Sequence, residues 1–128
     1  MLKLALSTAI ALVAFSAPAM AGKSEWMVTE EMEGIKGAQG TWALNIDGDK
    51  ISGDATMMFS NGTPLTYKVE GAVKDGVYTI NLVNRSDGKK GCVWTGHAPS
   101  STAAGTQTHG LVGYAPCEGA KLVLRASF

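Results

Sequence analysis

The residues able to do chemistry in this sequence are few and widely spaced. Its two histidines, His97 and His109, flank a run of Ala, Ser, Thr and Gly at 98–106. A hairpin would bring them near each other, and with an Asp or Glu they would make part of a metal site. Such a site needs three or four ligands; no third is identified, and the pair reads as two surface or turn histidines. Neither has a nucleophile-elbow serine or a partner carboxylate at a diagnostic spacing. Asp47-Gly48-Asp49 begins like a calcium loop, but its fifth position is Ile51 and no helix is expected on either side. It reads better as a hairpin turn. These residues point to a non-enzymatic protein with no metal and no cofactor.

The two cysteines, Cys92 and Cys117, have one possible pairing. An even count in an exported chain reads as a structural disulfide. Neither lies in a Cys-x-x-Cys pair or at zinc-finger spacing from a histidine, which sets aside a functional thiol or half of a metal site. Closing a loop of about 25 residues contributes ~3 kcal/mol in the chain-entropy account.

Export is read from residues 1–21. Lys3 supplies a basic start, residues 4–15 are apolar or small, Pro18 breaks the run, and Ala19-Met20-Ala21 has the small-x-small pattern of a cleavage site. A spanning helix needs about 20 apolar residues, more than this run offers, and no cysteine stands at the cut to carry a lipid. The expectation is a periplasmic or secreted protein that starts at Gly22 and has no membrane anchor. Of eleven basic residues only Lys3 is lost, leaving ten against eleven acidic ones and a formal charge of −1. That near-neutral balance lacks the basic face a nucleic-acid binder requires.

The elements that would position these residues follow from an apolar period of two, interrupted at turn signals. Trp42, Leu44 and Ile46 alternate up to Asp47-Gly48; Ile51, Gly53, Ala55, Met57 and Phe59 alternate up to Asn61-Gly62. Leu65, Tyr67, Val69, Gly71 and Val73 lead to Asp75-Gly76, and Tyr78, Ile80 and Leu82 follow. After a polar turn at 85–91, strands are expected at 92–97, 108–115 and 121–128, seven in all. Residues 22–36 read as a separate segment in which Trp26-Met27-Val28-Thr29 suits a strand and Glu30-Glu31-Met32-Glu33 before a glycine cap suits a short helix; the stretch 24–36 is taken as a short helix or plug. Residues 37–128 read as one all-β domain. Consecutive hairpins with one apolar stripe each predict an antiparallel meander closing into a small barrel of seven or eight strands, with a two-sheet sandwich as the alternative.

Gly40-Thr41-Trp42 at the first of these strands, with Arg125 in the last, resembles the calycin pattern of lipocalins, fatty-acid-binding proteins and avidins. The resemblance implies that Trp42 and Arg125 close one end of the barrel, the arginine packed across the indole, and that 24–36 is the short helical turn before the first strand. The chain is shorter than a lipocalin, and no Thr-Asp-Tyr motif appears. Without the resemblance, Trp42 is a core aromatic and Arg125 an exposed cation.

A calycin-like barrel implies a binding protein for a small apolar ligand, lined by Trp42, Leu44, Met57, Phe59, Tyr67 and Ile80, with room for one small molecule at most. A second reading is an inhibitor or partner of a secreted or envelope hydrolase. Ser52-Gly53 is similar to a dipeptide of bacterial lysozyme inhibitors, although Asp54-Ala55-Thr56 follows it where basic and tyrosine residues are expected. A structural envelope protein is the third. The export reading carries its own test: intact mass of periplasmic material begins at Gly22, and retention of residues 1–21 contradicts it.

Overall fold

The alternation from Trp42 to Leu82 is strand alternation, and every stripe faces one shared interior. The computed structural model describes residues 21–99 and 109–128; the export signal expected at 1–21, save its last residue, and most of the 98–106 segment lie outside the described residues. Eight strands follow in order: β1 (Ala21–Met32), β2 (Ile35–Asp47), β3 (Lys50–Phe59), β4 (Pro64–Lys74), β5 (Val77–Val83), β6 (Cys92–His97), β7 (Gly110–Cys117) and β8 (Ala120–Ser127). Each pairs antiparallel with the next, and β8 returns to β1, from Met27 opposite Ser127 to Met32 opposite Leu122. The expected barrel is therefore closed, and closure removes every exposed strand edge.

The eighth strand corrects the reading of residues 24–36. No helix occurs among the described residues; this stretch is most of β1, a two-residue turn and the start of β2. Trp26, Val28 and Glu30 point inward and are buried, while Met27 is exposed. Glu33 and Gly34 both take positive φ, 54° and 79°, the tight primed hairpin that matches strand twist. The helix expectation failed because an inward glutamate breaks the apolar stripe and leaves a Glu-rich run that resembles a helix end.

Two devices let so short a meander bend into a ring. One extra residue in β2, Gly37, shifts the register between Glu30 opposite Ala38 and Glu31 opposite Lys36, a bulge that bends the strand. Glycines on the inner stripe do the rest: a Cβ at Gly53 would strike the Ala43 carbonyl, and one at Gly71 the Thr79 carbonyl. Neighbouring strands come this close only where no side chain intervenes.

The interior is filled by Trp42, Trp94, Leu65, Ile80, Leu124, Val28 and Val69, all fully buried. Complete burial of each such side chain contributes ~1.5–3 kcal/mol. Cys92, at the start of β6, and Cys117, at the end of β7, form the expected disulfide at the opposite end of these strands from His97 and Gly110.

The strand order gives the barrel two distinct ends. The turns at 33–34, 60–63, 84–91 and 118–119 lie at one, with the disulfide; those at 48–49 and 75–76, with the end of β6 and the start of β7, lie at the other.

Candidate functional site

At the first end a charged cluster fills the barrel where apolar side chains are expected. Its centre is Arg85, buried although it follows β5 in a polar turn. Ile80 and Leu82 point inward, so uninterrupted alternation would send residue 84 inward and residue 85 out. Asn84 takes φ 57°, a left-handed conformation that Asn tolerates better than most residues. The alternation breaks there, and Arg85 turns into the lumen.

The guanidinium lies between two carboxylates. Nη1 donates to Glu30 Oε2 at 2.9 Å and Nη2 to Glu30 Oε1 at 3.1 Å; Nε donates to Asp87 Oδ1 at 3.0 Å and Nη2 to Asp87 Oδ2 at 2.7 Å. Both pairings are two-pronged, the strongest arrangement open to arginine. Asp87 also accepts the Lys89 backbone N–H at 3.1 Å, with Lys89 Nζ 3.5 Å away. Beyond Glu30 a relay runs inward: Tyr67 OH donates to Glu30 Oε2 at 3.1 Å and accepts from Trp42 Nε1 at 2.9 Å. The guanidinium carbon lies 5.0 Å from the Tyr67 ring centre.

These contacts set the charge states of the cluster. Burial pushes the Tyr67 hydroxyl well above the usual phenol range, with the charge of Glu30 adding to it against the opposing pull of Trp42 and Arg85. Burial alone would lower Arg85, but its bonds to Asp87 and Glu30 and their charges outweigh it and raise its pKa above the ordinary guanidinium value. Burial would likewise raise Asp87, yet the Arg85 bonds, the Lys89 N–H and both positive charges bring its carboxyl down to about 2. The phenol thus stays protonated and the guanidinium charged at neutral pH, which fits a structural clamp rather than acid–base chemistry.

The second end is aromatic. Trp26 stacks on Phe128 with centroids 4.9 Å apart and on Trp42 at 6.2 Å, and meets Tyr78 edge-on at 5.5 Å. Trp42 in turn meets Trp94 at 5.5 Å and Tyr67 at 6.2 Å. An aromatic column thus runs from Phe128 down to the clamp. Ile46, Val73 and Tyr78 are half-buried around its outer end, packed against the core.

The expected lining residues do share the interior: Trp42, Leu44, Met57, Tyr67 and Ile80 are buried and Phe59 half-buried. They pack on one another and on the rest of the core. Trp42, Ile80 and Trp94 have no solvent-accessible surface, so no water-sized space adjoins them. The concavities of about 340–480 Å³ open on the outer wall and rim, and none brings two of the six expected lining residues together.

Arg125 is not packed across Trp42. Its side chain is 57% exposed and pairs with Glu31 at 2.9 Å. Leu122, Leu124 and Ala126 take the inward positions of β8, so parity sends residue 125 outward. The arginine near the tryptophan is Arg85, one tyrosine removed.

His97 is exposed, with Nδ1 2.8 Å from the Ala98 carbonyl, and His109 is exposed as well. Among the described residues no three His, Cys, Asp or Glu side chains are grouped to hold a metal. Ser52-Gly53 lies within β3, paired on both sides, rather than in a projecting loop. Trp26, Glu30, Arg85 and Asp87 were not singled out from the sequence. The signal for Trp26 was present, since Trp26 and Val28 alternate correctly.

No protein-family model matches this chain, and no curated protein matches it. Among solved structures it is similar to a de novo designed fluorescence-activating β-barrel, at 13% identity and a TM-score of 0.56, covering 88% of this chain and 98% of that one. It is also similar to a redesigned β-barrel, mFAP1, bound to DFHBI, at 21% identity and a TM-score of 0.61, covering 88% and 97%. At these identities the likeness is one of fold, and the class it defines is the small closed antiparallel β-barrel.

The clamp predicts a pH dependence. Asp87 is held near 2, below the ordinary carboxyl value of about 3.9. Its contribution to stability is complete above that ordinary value and is lost as pH falls towards 2. Denaturant midpoints measured from pH 5 to pH 2 should therefore drop less steeply in Asp87→Asn than in the unmodified protein. Equal slopes would remove Asp87 from the clamp.

Proposed function

We propose that this chain is an exported, non-catalytic barrel that holds one small apolar molecule at the Trp26 end. The observation that carries the reading is the asymmetry of the interior. One end is occupied by the Arg85 clamp and the disulfide, and the middle is filled by side chains with no accessible surface. At the other end solvent still reaches Tyr78 and Phe128, which pack on Trp26, and Ile46 and Val73 next to the strand termini. Partly exposed apolar surface is what a small ligand can cover. A redesigned barrel of similar fold is bound to DFHBI, which supports a ligand in a fold of this kind.

The ligand on this reading sits higher than the lining expected from sequence. Trp42, Leu44, Met57, Tyr67 and Ile80 serve as its foundation, and the contact surface is formed by the residues around Trp26. Long-chain lipids are poor candidates, because the space beneath Trp26 is taken. Covering apolar surface yields about 25 cal/mol per Å² before the cost of association, so affinities near micromolar suit a compact ligand. Export follows from the leader-like residues 1–21.

The test is a titration of the purified protein with small aromatic and short aliphatic compounds, followed by tryptophan fluorescence and melting temperature. A binder at 100 times its Kd stabilises the fold by about 2.7 kcal/mol, a shift of several degrees in a domain of this size. The fluorescence change should persist in Trp42→Phe and vanish in Trp26→Phe. No shift with any compound contradicts the reading, and loss of the signal in Trp42→Phe alone returns the ligand to the deep interior.

A further inference from the structure

We infer that the face of Trp26 now covered by Phe128 is a stacking site for a flat, uncharged one- or two-ring aromatic molecule, and that Phe128 is its displaceable cover. The inference rests on the ligand-binding reading above and adds to it the class of ligand and the movement that admits it.

Trp26 is only 2% exposed although it stands near the end of the barrel. One face lies against Trp42, nearly parallel at 18°, and the Tyr78 ring meets it edge-on at 73°. The remaining shield is Phe128, stacked at 4.9 Å and 29°. Trp42 cannot leave that stack without breaking its bond to Tyr67 and, through it, the clamp.

Phe128 is held far more loosely. It lies one residue past Ser127, the last residue of β8 paired to either neighbour, opposite Met27 and Gly110. Among the described residues one backbone bond retains it, from its N–H to the His109 carbonyl at 2.9 Å. Its side of the stack is half in solvent, at 50% exposure. A ring so placed can rotate away while the strand stays paired, and doing so bares a flat indole face that the Tyr78 ring meets edge-on.

The vacated space is bounded by an indole face and the edge-on Tyr78 ring. Such an opening selects for shape, since a flat ring can lie at stacking distance where a puckered saturated ring cannot. The two rings that bound it, Trp26 and Tyr78, carry no charge, which favours an uncharged ligand. Aromatic stacking contributes about 0.5–1.5 kcal/mol beyond the area covered, so a flat ring should bind roughly 2- to 10-fold tighter than its saturated counterpart. The native Phe128 competes for the same face, so removing it should strengthen binding by a similar factor.

The experiment compares benzyl alcohol with cyclohexylmethanol, and 2-naphthol with its decahydro analogue, by fluorescence and calorimetric titration of the native protein and of Phe128→Ala. Phe128 lies outside the paired strands, so the variant should keep the fold, as far-UV circular dichroism would record. The expected result is a preference for the flat member of each pair in both proteins, with Phe128→Ala binding it about 2- to 10-fold more tightly. Weaker or unchanged binding in Phe128→Ala overturns the cover. Equal binding of flat and saturated members overturns the stacking site while leaving the ligand-binding reading in place. Failure of all four compounds with both proteins overturns the two together.

Discussion

The structure depends on a buried ion pair, Arg85 with Glu30, whose two charges meet only when the barrel is closed. Arg85 reaches into the lumen after β5, and its partner Glu30 comes from β1, 55 residues earlier. Tyr67 on β4 and Trp42 on β2 complete the chain of bonds to Glu30. An isolated charge in such a place costs several kcal/mol, so an arrangement that opens the ring leaves Glu30 without its cation and Arg85 with Asp87 alone. A pair of this kind adds less to stability than an apolar core of the same volume would. What it specifies is which strands meet. We read the clamp as the device that brings β1 to its place between β2 and β8.

The same clamp explains why the two ends of the barrel differ. Charged and hydrogen-bonded groups at the first end are fully committed to one another, and the disulfide lies beside them. An apolar molecule entering there would have to uncover charge. At the opposite end the aromatic column finishes in rings with incomplete partners, where a small apolar molecule gains contact without loss of polar bonds. The function proposed for this chain is a consequence of that polarity along the barrel axis, and it asks for no empty cavity in the centre.

Much of this architecture was legible in the residues. The stripes from Trp42 to Val73 mark the inner face, Asp75-Gly76 turns with both residues at positive φ, and the cysteines had one possible pairing. The misread parts share a physical cause. Glu30 interrupts the stripe of β1, and nothing local reveals that Arg85 and Tyr67 will satisfy it from 55 and 37 residues away. Arg85 itself was concealed by the left-handed turn at Asn84, which no periodicity announces. Arg125 was assigned to Trp42 on a motif, whereas the parity of Leu122, Leu124 and Ala126 places it outside. Alternation is a local property and was read correctly; compensation of a buried charge is a property of the closed barrel.

The central claim is that Glu30 and Arg85 act as one unit, and a double-mutant cycle tests it most directly. Stabilities would be measured for Glu30→Gln, Arg85→Met and the double variant. Arg85→Met should cost about 3–5 kcal/mol, because it leaves Glu30 buried without a cation, and Glu30→Gln less, because Asp87 still holds Arg85. The double change should cost clearly less than their sum, with a coupling energy above roughly 1 kcal/mol. Losses that simply add, within about 0.5 kcal/mol, would contradict the clamp as the organising interaction of this barrel.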